Sequence, residues 1–222
     1  MNNSVTNTLR LLGAGLRALL VLTLVTGAIY PLVVTGIAQA LFSDTANGSE
    51  IKADGKVVGS SLIGQPYNLP LKKGEQTPEP DLRWFQGRPQ NGLGVNGVNT
   101  RYKLILSGAT NRSADNRDLI DWVTAAKAAV VRDNSTADHK VEPSEVPADA
   151  VTSSGSGLDP DISPQYAEIQ VHRVAERNGL SVARVEKLLK EHTESRTLGF
   201  IGEPRVNVLE LNIALKDLVA KS

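Results

Sequence analysis

Two glycine-rich stretches in this 222-residue chain have the composition of phosphate cradles. Gly92-Leu93-Gly94-Val95-Asn96-Gly97 spells G-x-G-x-x-G, a pattern whose glycines let backbone N–H groups close on a pyrophosphate. That chemistry needs a strand before the loop and an amphipathic helix after it. Here the loop sits among Pro and Asn, so it is not expected to hold a cofactor. Ser154-Gly155-Ser156-Gly157 stands just before a helix start; it could turn N–H groups toward an anion, or form only a tight turn. Glu168, His172 and Glu176 recur at i, i+4 and i+8 and could present metal ligands on one helical face. A solvated charged face is the plainer reading, because no Cys exists and His139, His172 and His192 form no close pair in sequence. No Ser/His/Asp order, outstanding carboxylate pair, Walker A sequence or Asp-Lys-Thr-Gly phosphorylation sequence is present. The chain is therefore expected to carry no catalytic residues, no metal ligands and no cofactor of its own.

Charge narrows the partners. The chain has 24 Lys and Arg against 24 Asp and Glu. Before residue 43 the only charges are Arg10 and Arg17, so the rest of the chain is slightly acidic. No basic excess exists to hold a nucleic-acid backbone. Residues 167–192 do read as helix, Asn-Gly turn and Ser-capped helix, the outline of a DNA-binding helix-turn-helix. Their near balance of basic and acidic residues opposes that use, and no nucleic-acid partner is expected.

Any chemistry outside must be held by a membrane-tethered domain. Ala18 to Phe42 is uncharged over 25 residues, long enough as a helix to cross a hydrocarbon core of about 30 Å. Arg10 and Arg17 precede it and Asp44 follows, which by the positive-inside bias puts the N-terminus in the cytoplasm. Ala38-Gln39-Ala40 offers a signal-peptidase pattern, so a cleaved signal is the rival; the apolar run is longer than a signal's 7–15 residues or so. Thr23, Gly27, Pro31 and Thr35 recur at i+4 and would let a neighbouring helix approach closely. Pro31 should free the carbonyl of Gly27 and bend the helix. The expected layout is a cytoplasmic 1–17, a membrane helix 18–42 and an extracytoplasmic domain 43–222.

Within that domain, 56–65 reads as one or two strands and 66–112 as a Pro- and Gly-rich loop region. A helix is expected from about Asp115 to Val131, with Leu119, Trp122, Val123, Ala126 and Val130 on its apolar face. Residues 132–147 are polar, hold two Pro and read as a linker. Ser163-Pro164 opens the next helix, Asn178-Gly179 closes it, Ser181 caps another, and Asn207 with Glu210 opens the last. Val208, Leu211, Leu215, Leu218 and Val219 should face inward in that last helix. The fold class is α+β: three or four helices around a small sheet, tethered by one helix.

Four stretches carry a resemblance: Val58 to Gln65, Trp84 to Pro89, Val146 to Pro160, and Gly202 to Asn212. Together with the single span before them, they resemble the KdpC family, the C subunits of bacterial potassium-transporting ATPases, from about residue 12 to 220. The resemblance implies an uncleaved anchor in the bacterial inner membrane. It implies an accessory, non-catalytic role in high-affinity, ATP-driven K⁺ import, needed for assembly and activity. The implied partners are a channel-like K⁺ subunit, a P-type ATP-hydrolysing subunit and a small stabilising peptide; ATP, Mg²⁺ and K⁺ are handled by those partners. It also implies a higher ATP affinity in the hydrolysing subunit. ATP lies on the opposite side of the membrane from the domain, so that effect is expected to be a coupling through the assembly.

The stretches that carry the resemblance mark candidate contact loops: Gly64 and Gln65; Phe85, Gln86, Gly87, Arg88 and Pro89; Ser154, Gly155, Ser156 and Gly157; and Asp159. The sequence departs from the family's pattern at 102–118, which lacks its usual Pro residues, and at Asp161, where the family commonly has His. The segments 66–82 and 132–145 are longer than usual.

Overall fold

The computed structural model describes residues 3–70, 78–89, 107–108 and 112–222. The G-x-G-x-x-G stretch at 92–97, most of 102–111 and part of the 66–82 insertion lie outside the described residues. The chain divides into two compact units, Met1–Glu50 and Ile51–Ser222.

The first unit is mostly one long rod. Helix α1 (Asn3–Leu24) runs through a π-helical turn (Val25–Ile29) into α2 (Tyr30–Leu41), and a short helix α3 (Ser43–Ala46) follows. From Ser4 to Leu41 the rod is long and apolar enough to cross a membrane, and none of its most apolar window is buried within the protein. The apolar run is hydrophobic all round, which only lipid or other apolar helices can cover. Pro31 has no N–H to give to the preceding turn, and the chain meets that gap with the π turn, in which Tyr30 N–H bonds to Val25 O. Thr26 Oγ1 also donates back to Leu22 O, at 2.7 Å.

The second unit is α+β. Strands β1 (Glu50–Ala53) and β2 (Lys56–Ser60) form a two-stranded sheet. Helix α4 (Arg117–Asn134) leads through a 3-10 turn (Ala148–Ala150) to β3 (Asp161–Ile162) and α5 (Pro164–Asn178). Helix α6 (Val182–Glu191), β4 (Thr193–Glu194), β5 (Arg205–Asn207) and α7 (Val208–Ala220) complete it. β5 is central in the second sheet, antiparallel to both β3 and β4. The caps work as their residue types dictate. Ser163 Oγ accepts from Tyr166 N at 3.1 Å, and Asn207 Oδ1 accepts from Glu210 N at 3.2 Å. Gly179 closes α5 in the left-handed region that favours glycine. Ser181 stands at the cap of α6 without a side-chain capping bond.

Several expectations shift. Helix α4 ends at Asn134, three residues beyond Val131, because Asn134 is buried and its side chain bonds back to Val130 O. Trp122 is exposed rather than inward, with the Arg112 guanidinium 4.4 Å over its ring. Val219, in the last turns of α7, is also exposed. The polar stretch 132–147 lies within the second unit and buries Val141.

The core joins α5, α6, α7, β5 and one irregular segment. Ala167, Val171 and Val174 from α5 meet Val185 and Leu189 of α6, Leu211 and Leu215 of α7, and fully buried Phe85. Phe85 belongs to no regular element, so its backbone polar groups need other partners. Side-chain amides supply them. Asn212 of α7 accepts from Phe85 N and donates to Phe85 O, both at 2.9 Å. Gln170 of α5 does the same for Gln86, at 2.7 and 3.0 Å.

Asn212→Leu removes the partners of both the N–H and the C=O of buried Phe85, and each such loss costs about 1–3 kcal/mol. We expect this variant and Gln170→Leu each to lower unfolding stability by roughly 2 kcal/mol or more, read by denaturant titration of the detergent-solubilised chain. Exchange of Glu210, on the exposed side of α7, should leave the midpoint nearly unchanged.

Candidate functional site

Part of the loop set singled out by sequence comes together, around Gly64, Arg88 and Asp159. Gly64 is buried, and its N–H bonds to Leu158 O at 2.8 Å. A Cβ at Gly64 would stand 2.5 Å from Asp159 O, so only glycine permits this approach of two backbones. Gln65 folds its amide over Gly59 and donates to Val58 O at 2.9 Å, pinning β2. Arg88 reaches across to Asp159, Nη1 to Oδ2 at 3.0 Å, and to the carbonyls of Thr152 and Ser153. Gly64, Arg88, Asp159 and the Ser154–Gly157 loop thus form one connected cluster.

Phe85 and Gln86 play a different part. Phe85 fills the core, and the Gln86 amide donates to the carbonyls of Tyr67, Asp81 and Trp84. Gly87 has open space where a Cβ would be. Pro89 lines a small cavity of about 190 Å³ with Tyr166 and Arg173.

Within and just after the Ser154–Gly157 loop, the N–H groups of Gly157, Leu158, Asp159 and Asp161 already have partners. Ser156 Oγ accepts from Leu158 N at 3.1 Å, and Ser154 Oγ accepts from Asp159 N at 3.3 Å. Asp159 Oδ1 accepts from Asp161 N, and Gly157 N bonds to Ser154 O. An anion would compete with these bonds beside the Asp159 carboxylate. The loop is a turn closed by Gly157 N on Ser154 O, its Gly157 buried at positive φ, with Gly155 and Ser156 exposed at its tip. Ser107 Oγ and Gly108 N both donate to Ser156 O.

Glu168, His172 and Glu176 share a face of α5, and no group of three or more His, Asp or Glu converges among the described residues. Asp161 pairs with Asn207 across β3 and β5. Burial holds its carboxyl above the usual carboxylate range; Arg205 opposes that, and Asp159 and Glu194 reinforce it.

Sequence reasoning missed the polar residues that organise this face from behind. Arg173 is buried and donates to Asn134 Oδ1, Gln170 Oε1 and the carbonyls of Leu82 and Trp84. Burial lowers its pKa to about 10, which leaves it charged near neutral pH. The available signal was position: Gln170, Arg173 and Asn212 occupy apolar faces of their helices, where a polar side chain must find a partner. Also missed was the turn between β4 and β5, which leaves Leu198 and Phe200 more than 70% exposed.

In the span, Thr23, Gly27, Pro31 and Thr35 are all exposed. A Cβ at Gly27 would meet only Thr23 Cγ2, at 3.9 Å.

These features describe an α+β domain that follows one N-terminal apolar helix long enough to cross a membrane. Comparison with known proteins agrees with that class and narrows it. The family model for the c chain of K⁺-transporting ATPases matches residues 12–217. The potassium-transporting ATPase KdpC subunit of Streptomyces avermitilis is 81% identical over the whole of both chains. That of Streptomyces coelicolor is 76% identical over 99% of this chain and 98% of its own. That of Gemmatimonas aurantiaca is 46% identical, covering 93% and 94%. The chain belongs to the KdpC family and is a membrane-associated subunit of the K⁺-transporting ATPase complex.

Gly64→Ala should destabilise the second unit by about 1–3 kcal/mol, because backbone must move to admit the methyl group. Gly155→Ala and Gly87→Ala meet open space and should change stability by less than about 0.5 kcal/mol. Thermal unfolding of the three variants in one detergent separates the two groups.

Proposed function

We propose that this chain is the accessory, non-catalytic subunit of a high-affinity K⁺ importer. Its N-terminus lies in the cytoplasm, one helix crosses the inner membrane, and the second unit lies outside. It assembles with a channel-like K⁺ subunit, a P-type ATP-hydrolysing subunit and a small stabilising peptide, and is needed for their assembly and activity. The observation that carries this reading is the rod from Ser4 to Leu41, long and apolar enough to cross a membrane, with none of its most apolar window buried among the described residues. Arg10 and Arg17 before its apolar stretch, and Asp44 after it, support the orientation.

The stripe Thr23, Gly27, Pro31 and Thr35 is the proposed packing face. Lipid gives no reason to gather small residues, whereas a neighbouring helix does. Gly27→Leu meets no obstacle within the chain, so its effect reports on a partner. We expect Gly27→Leu to weaken co-purification of the membrane partners, with Leu22→Ala close to wild type. The reverse pattern would place the interface on another face.

In the second unit, the Arg88–Asp159 pair and Gln65 are proposed to shape the exposed tip of the Ser154–Gly157 loop for partner contact. Normal K⁺-limited growth of both Arg88→Ala and Gln65→Ala strains would assign these residues to local folding alone.

Any influence on ATP affinity is proposed to be indirect, a shift in the conformational balance of the hydrolysing subunit. ATP, Mg²⁺ and K⁺ are handled by partners. Calorimetric titration of the detergent-solubilised chain should show no saturable, adenine-specific ATP binding at physiological salt, and no hydrolysis. Stoichiometric binding that survives such salt would sink both the indirect coupling and the orientation.

A further inference from the structure

The imidazoles of His139 and His172 stack face to face, their centroids 3.9 Å apart and their planes within 7° of parallel. His172 projects from α5, and His139 from the segment that leads from α4 to the 3-10 turn. Both ends of that segment are fixed. Asn134 is held by Arg173 at 2.8 Å, and Asp149 accepts from both the N–H and the hydroxyl of Ser163. Between them the described hydrogen bonds are local. Thr136 N bonds to His139 O, His139 N to Thr136 Oγ1, Val141 N to Ser135 Oγ, and Glu142 pairs with Glu145. Among the described residues none of the bonds of 136–146 crosses to α5 or α6. Apolar contact, chiefly buried Val141 and half-buried Val146, and the stack itself hold the segment down.

The stack borders a cavity of about 660 Å³ between this segment, α5 and α6. Every packed element contributes charge. The segment supplies His139 and Glu145, with Asp138 and Lys140 flanking His139 in sequence; α5 supplies His172 and Glu168, with Glu176 a turn further on; α6 supplies Glu186 and Lys190. A shared metal ion does not suit the pair, because nitrogen lone pairs lie in the ring planes and parallel planes do not converge.

We propose that the His139–His172 stack is a pH-sensitive latch that holds residues 136–146 against α5 near neutral pH and releases them when both rings are protonated. A neutral or singly charged pair stacks without repulsion. Two imidazolium rings at this separation repel by about 1 kcal/mol in water and several-fold more where solvent is partly excluded. Burial and then His139 lower the His172 pKa below its ordinary 6.5, while Glu186 works the other way. The sign follows. The docked state binds fewer protons than the released state, so docking is strongest above about pH 6.5 and weakens as pH falls through and below that value. Glu168 and Glu145, while ionised, moderate the repulsion; Lys190 adds to it. The latch titrates on whichever side of the membrane it stands, so its test is independent of the proposed topology.

Hydrogen exchange of the full detergent-solubilised chain, corrected for intrinsic rates, reads the release. Between about pH 7 and pH 5, 136–146 should lose about fivefold or more in protection, the equivalent of the roughly 1 kcal/mol by which two imidazolium rings repel in water. Amides of α7 should hold theirs. His139→Phe keeps a ring for stacking but cannot charge, and should abolish the loss; His172→Phe is the second such variant. Imidazole proton shifts give an independent reading. The wild-type pair should titrate in two separated steps, and either Phe variant should leave a single step. Equal pH dependence of 136–146 in wild type and the Phe variants, or two independent wild-type curves near 6.5, overturns the latch.

Discussion

The second unit depends on a peptide segment that no sheet or helix holds. Residues 84–86 cross the core as irregular chain, and their polar groups are matched by the amides of Gln170 and Asn212. Each amide offers one donor and one acceptor at the spacing of a peptide bond, so each imitates a neighbouring strand. Helices α5 and α7 are thereby tied to one another through Phe85, whose ring fills the space between them. Arg173 extends the arrangement to α4 through Asn134 and to the carbonyls of Leu82 and Trp84. Its charge is met by neutral dipoles, with carboxylates only at longer range. No buried side-chain polar atom among the described residues lacks a partner.

This polar scaffold positions the surface loops. The same strand, β5, that pairs with β3 also presents Asn207, whose amide donates to Ser61 O at 2.9 Å and so reaches the turn after β2. Gly64 then lies against 158–159, and Arg88 bridges to Asp159 from the segment that Gln170 and Asn212 clamp. Chain segments about 70 residues apart are held within hydrogen-bond distance by one ion pair and two carbonyls. A surface loop holds its shape when the segments beneath it are fixed, and the clamp fixes them.

The helical part of this fold was legible in sequence for identifiable reasons. Ser163-Pro164, Asn178-Gly179 and Asn207 are local signals whose physics does not depend on the rest of the chain. The uncharged run through Phe42 was equally plain. The strands were largely hidden: β3 and β4 are two residues each and β5 three, too short for alternation to register. Trp122 misled because an aromatic at helical spacing reads as core, yet Arg112 gives its face a polar partner. The loop residues were found as motifs, but their division of labour was not. Whether Gln86 faces inward and Arg88 sideways is decided by Gln170, some 84 residues away. The stacked histidines, 33 positions apart in number, were read as unrelated for the same reason.

The π turn in the membrane rod alters the geometry of its small-residue stripe. In an α-helix, a position four residues along lies about 40° past a full turn, so three such steps drift by about 120° around the axis. The wider turn at Val25–Ile29 takes up more residues per revolution and cancels part of that drift. Thr23, Gly27, Pro31 and Thr35 are thus brought closer to a straight line than a regular helix allows. The drift that remains follows from a repeat longer than the helical period, and a seam of that kind winds right-handed. A helix laid along these residues would cross the rod with right-handed geometry, at an angle shallower than the bare sequence spacing demands.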